Sequence, residues 1–240
     1  MKVLVPISGG KDSQACLKFA LLCHSAADVV GLFCDTQFEH PKTYAHIDWI
    51  EAHYGIRIDR VTGGSVLDKV KKYGRFPNAV ARHCTDELKI RETRIYCKRL
   101  AEQQGGFEVW YGMRLNESHA RKIRYADKKL GEVYPPHEVM PGKYPQYLAK
   151  LGVMFRLPIL DWSTLDVLDF LNGEESPLYA DGFDRVGCFP CLAAGDSHKK
   201  KAFQYDEFGK KQHQKVIKIA SEIGKSVWTS KGIRCEVCSI

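Results

Sequence analysis

Several features that mark other protein classes are missing from this sequence of 240 residues. No apolar run approaches the roughly 20 residues that a membrane-spanning helix needs. The N-terminus lacks the pattern of a secretory signal, because its apolar run is short and meets Gly-Gly-Lys-Asp at once. The sequence also shows no internal repeat and no Ser–His–Asp constellation. We therefore predict a cytoplasmic protein without a membrane partner.

The composition is that of a globular protein. Hydrophobic residues make up 44% and charged residues 27%, which provides apolar material for a core of ordinary size. The formal net charge of +7 favours polyanionic ligands, nucleotides and nucleic acid alike. In the cytoplasm, nine cysteines indicate thiol chemistry or metal binding more than a disulfide scaffold.

Strand and helix patterns alternate along the first 171 residues. Apolar runs predict strands at residues 2–7, 28–34, 56–61, 107–111 and 155–160, and helical periodicity predicts helices at 13–22, 41–54, 86–104 and 163–171. This alternation predicts an α/β fold with an open, mostly parallel sheet. We expect a nucleotide-binding domain at 1–175 and, at 176–240, a cysteine-rich C-terminal extension that packs on the active site and has a helix near 211–223.

The loop after the first strand reads Ser8-Gly9-Gly10-Lys11-Asp12-Ser13. It is not a Walker A loop, because Val5 stands where that motif has its first glycine and Asp12 follows the lysine. Two glycines before a helix N-terminus nevertheless expose backbone N–H groups to an anion. We therefore predict a phosphate cradle in which Lys11 adds positive charge, Asp12 holds Mg²⁺, and Ser8 and Ser13 bond phosphate oxygens.

Ligands of parallel sheets gather beyond the carboxyl ends of the strands. Ser8, Asp35 and Gly112 all follow predicted strands, so we expect them to lie at one edge of the sheet.

Residues 8–13 resemble the PP-loop of the ATP pyrophosphatases. The resemblance implies a five-stranded sheet with helices on both faces, of the adenine-nucleotide α-hydrolase-like type. It also implies binding of ATP through its pyrophosphate end and cleavage between the α- and β-phosphates.

Five further blocks resemble the phosphoadenylyl-sulfate (PAPS) reductase family. They are Asp35 to Thr43, Leu88-Lys89, Gly112 to Arg121, Pro158 to Val167, and Pro177-Leu178-Tyr179 followed by Arg185 to Cys191. Gln37 stands where the family usually has glycine, and Ser176 stands where asparagine is common. Together with the loop, these blocks cover most of residues 3–191.

The resemblance implies two chemistries. Reductases of adenylyl sulfate or PAPS have generally lost the loop lysine, whereas this chain retains Lys11, which is useful when the ligand carries β- and γ-phosphates. We therefore expect ATP, with Lys11, Asp12, Arg114 and Arg121 as the catalytic set. The two arginines are seven residues apart, about two turns if that stretch is helical, and suit phosphates or a nucleic-acid backbone.

The cysteines form two Cys-x-x-Cys pairs, Cys188 with Cys191 and Cys235 with Cys238. Such pairs indicate a metal or redox site, and their spacing leaves iron–sulfur, zinc and metal-free redox thiols open. The resemblance implies a 4Fe-4S cluster on Cys188, Cys191 and Cys84, with His83 where a further cysteine is expected. The C-terminal pair could supply the fourth ligand. Alternatively, three thiolates hold the cluster and leave one iron open to bind sulfide. In a third option, Cys235 and Cys238 form a mobile redox pair. We expect Cys16, Cys23, Cys34 and Cys97 to be buried apolar residues.

We expect an enzyme that cleaves ATP to AMP and pyrophosphate and thereby activates an acceptor for sulfur transfer. The expected partners are an adenine nucleotide, a nucleic-acid or sulfur-carrier acceptor, a sulfur-donor protein and a second copy of the chain in a homodimer. One alternative is a thiol-dependent reductase that releases sulfite from adenylyl sulfate or PAPS. Another is a non-catalytic subunit that binds a nucleotide and an iron–sulfur cluster.

Overall fold

The computed structural model describes residues 1–78 and 80–229. Within them, six strands form one sheet in the order β3-β2-β1-β4-β6-β5. The strands are β1 Val3–Ile7, β2 Val29–Asp35, β3 Arg57–Thr62, β4 Phe107–Trp110, β5 Val133–Tyr134 and β6 Val153–Arg156. Strands β2 and β4 run parallel to β1, β6 runs parallel to β4, and β5 is antiparallel to β6. The predicted α/β class is confirmed, and the sixth strand is the two-residue β5.

Helices connect the strands throughout the described residues. They are α1 Lys11–Cys23, α2 Pro41–Tyr54, α3 Val66–Tyr73, α4 His83–Thr85, α5 Arg91–Gln104, α6 His119–Arg124, α7 Pro136–Val139, α8 Tyr147–Lys150, α9 Thr164–Leu171, α10 Pro177–Ala180, α11 Asp196–Tyr205 and α12 Glu207–Ile223. Short 3-10 turns lie at Ala26–Asp28 and Leu115–Glu117, and a π-helical turn occupies Asp86–Ile90.

The sheet is covered on both faces, as the resemblance implies. Leu4 of β1 belongs to one hydrophobic cluster, whereas its neighbour Val5 belongs to another. Successive side chains of a strand point to opposite faces, so the two clusters lie on opposite sides of the sheet. The first cluster includes Cys97 of α5, and the second includes Leu17 of α1 and Val167 of α9.

Local sequence signals set several helix boundaries. Helix α2 begins at Pro41, where a proline loses no helical hydrogen bond. Helix α9 begins with a capping box, in which Asp166 N–H donates to Ser163 Oγ at 3.1 Å and Ser163 N–H donates to Asp166 Oδ2 at 2.7 Å. Two predictions were imprecise. The strand expected at 155–160 lies at Val153–Arg156, and the first turn of the helix expected at 86–104 is π-helical.

The chain forms two compact units that alternate along the sequence. The first unit contains residues 1–34, 41–61 and 90–186, and the second contains residues 35–40, 62–78, 80–89 and 187–229. The second unit has its own hydrophobic cluster, which includes Phe38, Val70, Leu88, Phe203 and Trp228. The domain boundary at 175/176 stays a prediction.

Among residues 1–78 and 80–229, no helix combines the length and apolar character that crossing a bilayer requires.

Candidate nucleotide and cysteine sites

The glycine loop of the first unit turns directly from β1 into α1. Gly9 has φ +76°, and a Cβ at this position would lie 2.7 Å from Thr43 Cγ2. Gly10 is the N-cap of α1 and has no side-chain cap. The helix therefore starts at Lys11, two residues earlier than predicted, and its N-terminus faces the loop.

The two loop serines brace the turn. Ser8 N–H donates to Ser13 Oγ at 3.1 Å, and the Ser13 hydroxyl donates to Gly10 O at 2.9 Å. Gly10 N–H donates to Ser8 Oγ at 3.3 Å. The serines therefore hold the conformation of the predicted phosphate cradle, and their contact with phosphate stays a prediction.

Lys11 is buried at the N-terminus of α1, with 9% of its surface exposed. Its Nζ lies 3.9 Å from Asp12 Oδ2 and 5.1 Å from the ring centroid of Tyr179. Its backbone N–H donates to Tyr179 Oη at 3.0 Å. A buried ammonium needs close anionic partners to offset its lost hydration, and 3.9 Å is a long ion pair. The site is therefore suited to a further anion.

Arg114 holds the Asp12 carboxylate in place. The guanidinium is buried, and its Nε donates to Asp12 Oδ1 at 2.8 Å. Its two Nη groups donate to Trp162 O at 3.2 Å and to Thr164 Oγ1 at 3.4 Å. Each guanidinium nitrogen thus has a partner within the first unit, and Arg114 acts on the loop through Asp12.

Gly112 brings the end of β4 against the start of α1. A Cβ at this position would lie 2.3 Å from the carbonyl oxygen of Asp12 and 2.7 Å from its carbonyl carbon. Only glycine therefore permits this approach of backbone to backbone.

The segment between Arg114 and Arg121 is not one helix, so the separation of two turns that a continuous helix would give does not apply. A 3-10 turn at Leu115–Glu117 is followed by Ser118 in an extended conformation with φ −167° and ψ 153°. The Ser118 hydroxyl accepts the N–H of Arg121 at 3.3 Å, and α6 starts there. The short polar side chain of Ser118 ends one helix and caps the next.

Arg121 shares the electrostatic environment of Asp12. It forms an ion pair with Glu117. Burial is the largest influence on its pKa and lowers it; the positive charges of Arg185 and Arg114 lower it further, while Asp12 raises it. Positive charge is thus concentrated close to the glycine loop.

Asp35 belongs to the second unit, unlike the other residues predicted to bind the nucleotide. Its Oδ1 accepts the N–H of Gln37 at 2.7 Å. Gln37 has φ +55°, in the left-handed region that favours glycine. This conformation explains why the sequence block usually has glycine here.

Three predicted metal-binding cysteines lie in the second unit. Burial raises the pKa values of Cys84 and Cys188, and the charge of Cys191 raises both further. Lys89 acts in the opposite direction on both thiols. Cys191 therefore lies close enough to Cys84 and to Cys188 to interact electrostatically with each of them.

Cys188 is a protonated thiol among polar partners. Burial raises its pKa to about 12. Its Sγ lies 3.2 Å from Thr36 Oγ1, and its thiol donates to Glu39 Oε1 at 3.7 Å. Thr36 Oγ1 in turn donates to Glu39 Oε1 at 2.7 Å. Metal binding would require this thiol to lose its proton.

The thiols match iron–sulfur or zinc in donor chemistry, because both prefer soft thiolate ligands. Within the described residues, no group of three or more His, Cys, Asp or Glu side chains is arranged to hold a metal ion. The predicted ligands Cys235 and Cys238 lie outside the described residues. Of the four cysteines predicted to be buried, Cys16, Cys34 and Cys97 are buried, whereas Cys23 is exposed, so the prediction for Cys23 was wrong.

Comparison with known families identifies the chain. Residues 2–194 match the sequence family described as the phosphoadenosine phosphosulfate reductase domain. The protein belongs to the PAPS reductase family. Its predicted membership is thereby confirmed.

Two relatives of this PAPS reductase family member illustrate how far the similarity extends. An uncharacterized protein of Methanocaldococcus jannaschii is 31% identical over 96% of this chain and 45% of its own length. The chloroplastic 5′-adenylylsulfate reductase 1 of Arabidopsis thaliana is 28% identical over 80% of this chain and 39% of its own length. The chain therefore spans less than half the length of these two relatives.

The fold has counterparts among solved structures. FMN adenylyltransferase from Candida glabrata, solved in complex with ATP, aligns with a TM-score of 0.51 at 15% identity. The alignment covers 79% of this chain and 53% of that one. At this identity the similarity concerns the fold alone.

Three side chains of the sites had no role in the sequence predictions. Tyr179 contacts the glycine loop, Glu39 accepts from Cys188, and Lys89 lowers the pKa of two thiols. All three lie inside the sequence blocks that resemble the family. Their presence in those blocks was the available signal, but the partners of Tyr179 and Glu39 are distant in sequence.

Proposed function

We propose that this PAPS reductase family protein binds ATP at residues 8–13 and cleaves it to AMP and pyrophosphate, activating an acceptor for sulfur transfer. The observation that carries the proposal is the buried Lys11 ammonium at the N-terminus of α1, 3.9 Å from the Asp12 carboxylate. Helix N-termini and ammonium groups both favour phosphate. A pyrophosphate end is the anion of ATP that matches this charge.

Lys11 and Asp12 have different tasks in this proposal. As the bond between the α- and β-phosphates breaks, negative charge grows on the departing pyrophosphate, and a prepositioned ammonium stabilises it without reorganisation. Arg114 keeps the Asp12 carboxylate oriented through a 2.8 Å hydrogen bond. Mg²⁺ held by Asp12 would screen the phosphate charges. Arg121 and Arg185, which interact electrostatically with each other, add positive potential near Asp12.

Cys84, Cys188 and Cys191 are the described residues that would hold a 4Fe-4S cluster, with Cys235 or Cys238 proposed as a further ligand. Zinc on the same thiols is the alternative. The cluster would offer iron as a Lewis acid for sulfide. The chain's own contribution is to supply thiolates, and the positive charge of Lys89, which lowers the pKa of Cys84 and Cys188, favours that form.

A reductase of adenylyl sulfate or PAPS is the second candidate. The similarity to 5′-adenylylsulfate reductase 1 of Arabidopsis, 28% identity over 80% of this chain, favours it. Retention of Lys11 favours the ATP reaction instead. A nucleic-acid or sulfur-carrier acceptor, a sulfur-donor protein and a homodimer are further parts of the proposal.

Incubation with α-labelled ATP and Mg²⁺ tests the proposed function. We expect labelled AMP, with release about 100-fold slower or more in the variant Lys11→Ala. Lys218→Ala, which changes an exposed lysine of α12, is the matched control and should keep the wild-type rate. Sulfite release from PAPS or adenylyl sulfate with a dithiol, without AMP from ATP, would favour the reductase instead. Nucleotide binding without either product would favour a non-catalytic subunit.

A second experiment identifies the metal. Protein purified without oxygen should be brown and absorb near 400 nm if it holds a 4Fe-4S cluster. Colourless protein that contains zinc by elemental analysis would contradict the cluster. That result would not bear on the proposed ATP site.

A further inference from the structure

Tyr179 of α10 links two parts of the first unit at the start of α1. Its Oη accepts the backbone N–H of Lys11 at 3.0 Å. A phenol oxygen accepts through two lone pairs and donates one proton. Because the Lys11 N–H takes an acceptor position of this oxygen, the hydroxyl proton is left to be donated.

The hydroxyl keeps that proton over the working pH range. Burial raises the pKa of Tyr179 to about 12, and the charge of Asp12 acts in the same direction. A neutral phenol is therefore a permanent donor at this position.

The tyrosine is held firmly in place from both ends of α10. Before the helix, the Glu174 carboxylate accepts from Lys18 at 2.8 Å and from Tyr54 at 2.6 Å. After the helix, Lys42 donates to Asp181 at 2.8 Å. These anchors fix a four-residue helix that would otherwise be too short to be stable.

The glycine loop leaves room for this hydroxyl. A Cβ at Gly10 would lie 3.3 Å from Tyr179 Oη and 3.3 Å from the carbonyl oxygen of Val186. The Lys11 ammonium lies over the same tyrosine ring, 5.1 Å from its centroid. The hydroxyl and the ammonium therefore act in one small region of the loop.

We propose that Tyr179 is a phosphate-binding residue whose hydroxyl donates a hydrogen bond to the pyrophosphate end of the bound nucleotide. The inference rests on the proposed ATP site and deepens it. The hydroxyl links the N-terminus of α1 to the ligand, because it accepts a hydrogen bond from the Lys11 N–H and donates one to the phosphate. Inorganic pyrophosphate and ATP should both accept this hydrogen bond, whereas AMP has no pyrophosphate group to accept it.

Calorimetric titration of the full chain tests the proposal. The variant Tyr179→Phe keeps the ring over Lys11 and removes only the hydroxyl. We expect its Kd for inorganic pyrophosphate and for ATP to rise about tenfold, as the loss of a hydrogen bond to a charged group predicts, with the Kd for AMP changed less than twofold. Tyr147→Phe, at an exposed tyrosine of α8, is the matched control and should bind as wild type. Thermal melting confirms that each variant is folded.

The outcomes separate this inference from the proposed function. Unchanged pyrophosphate affinity in Tyr179→Phe would overturn the inference, and so would tighter binding, which would show that the hydroxyl competes with phosphate for the Lys11 N–H. Failure of the wild-type chain to bind pyrophosphate and ATP would overturn the proposed site itself. Weakened binding in Lys11→Ala without an effect of Tyr179→Phe would keep the site and reject the role of Tyr179.

Discussion

The ion pair between Arg114 and Asp12 yields a quantitative prediction. The side chain of Arg114 is 3% exposed and that of Asp12 is 20% exposed. Removing one partner of a buried pair costs about 3–5 kcal/mol, because it leaves an uncompensated charge. Asp12 retains some contact with water, so we place Arg114→Ala near the lower end, at about 3 kcal/mol.

The double-mutant cycle isolates the pair itself. Asp12→Ala leaves the buried guanidinium without its carboxylate, although Trp162 O and Thr164 Oγ1 still accept from it. We therefore expect Asp12→Ala to cost about 2–3 kcal/mol, and the double variant to cost clearly less than the sum of the two. The expected coupling energy is about 1.5–2.5 kcal/mol.

Urea denaturation of the four proteins, followed by circular dichroism, measures the cycle. A slope of the transition that stays constant among the variants shows that the differences in midpoint reflect stability. A pair on the surface, such as Lys210 with Glu207, is the control and should show only small coupling, because water screens both charges. Coupling of the same small size for Arg114 and Asp12 would refute the argument that this pair fixes the loop.

Further predictions concern single positions. Gln37→Gly should stabilise the protein by up to about 1 kcal/mol by relieving the positive φ, and Gln37→Val should destabilise it, as measured by urea denaturation. Gly112→Ala should lower the free energy of unfolding by about 2 kcal/mol and weaken ATP binding, whereas Gly195→Ala, where a Cβ meets nothing within 4 Å, should change both little. In protein freed of metal, iodoacetamide at pH 8 should alkylate the exposed Cys23 well before Cys188, because burial raises the pKa of Cys188 to about 12; equal rates in peptide mass analysis would contradict this. Burial lowers the pKa of His46 from 6.5 to about 4, so the unfolded chain takes up the proton first and stability should fall as the pH drops from 6.5 to 4; His46→Gln should flatten this decline.

Local signals made much of the fold predictable. Gly9 and Gly10 after an apolar run marked the loop, Pro41 marked the start of α2, and Ser163 marked the start of α9. Each of these signals depends on residues within a few positions of one another. Their physical basis is the hydrogen bonding and backbone conformation of a single turn.

The contacts that shape the site could not be read from local patterns. Tyr179 reaches Lys11 across 168 residues, and Arg114 reaches Asp12 across 102. Short elements such as β5 and α10 have too few residues to show a periodic pattern. Their stability comes from neighbouring segments, so their own residues give little sign of them. The extended conformation of Ser118, which separates the 3-10 turn from α6, was likewise not visible in the spacing of Arg114 and Arg121.

The charge balance around the loop favours a multivalent anion over a neutral substrate. Four cations contribute: Lys11, Arg114, Arg121 and Arg185. Among the described residues, Asp12 pairs with Lys11 and Arg114, Glu117 pairs with Arg121, and Asp166 interacts with the charge of Arg114. The positive end of α1 adds to the positive potential of these cations. Because partly buried charges are screened weakly, this potential favours a ligand that carries several negative charges at one end, as the pyrophosphate of ATP does.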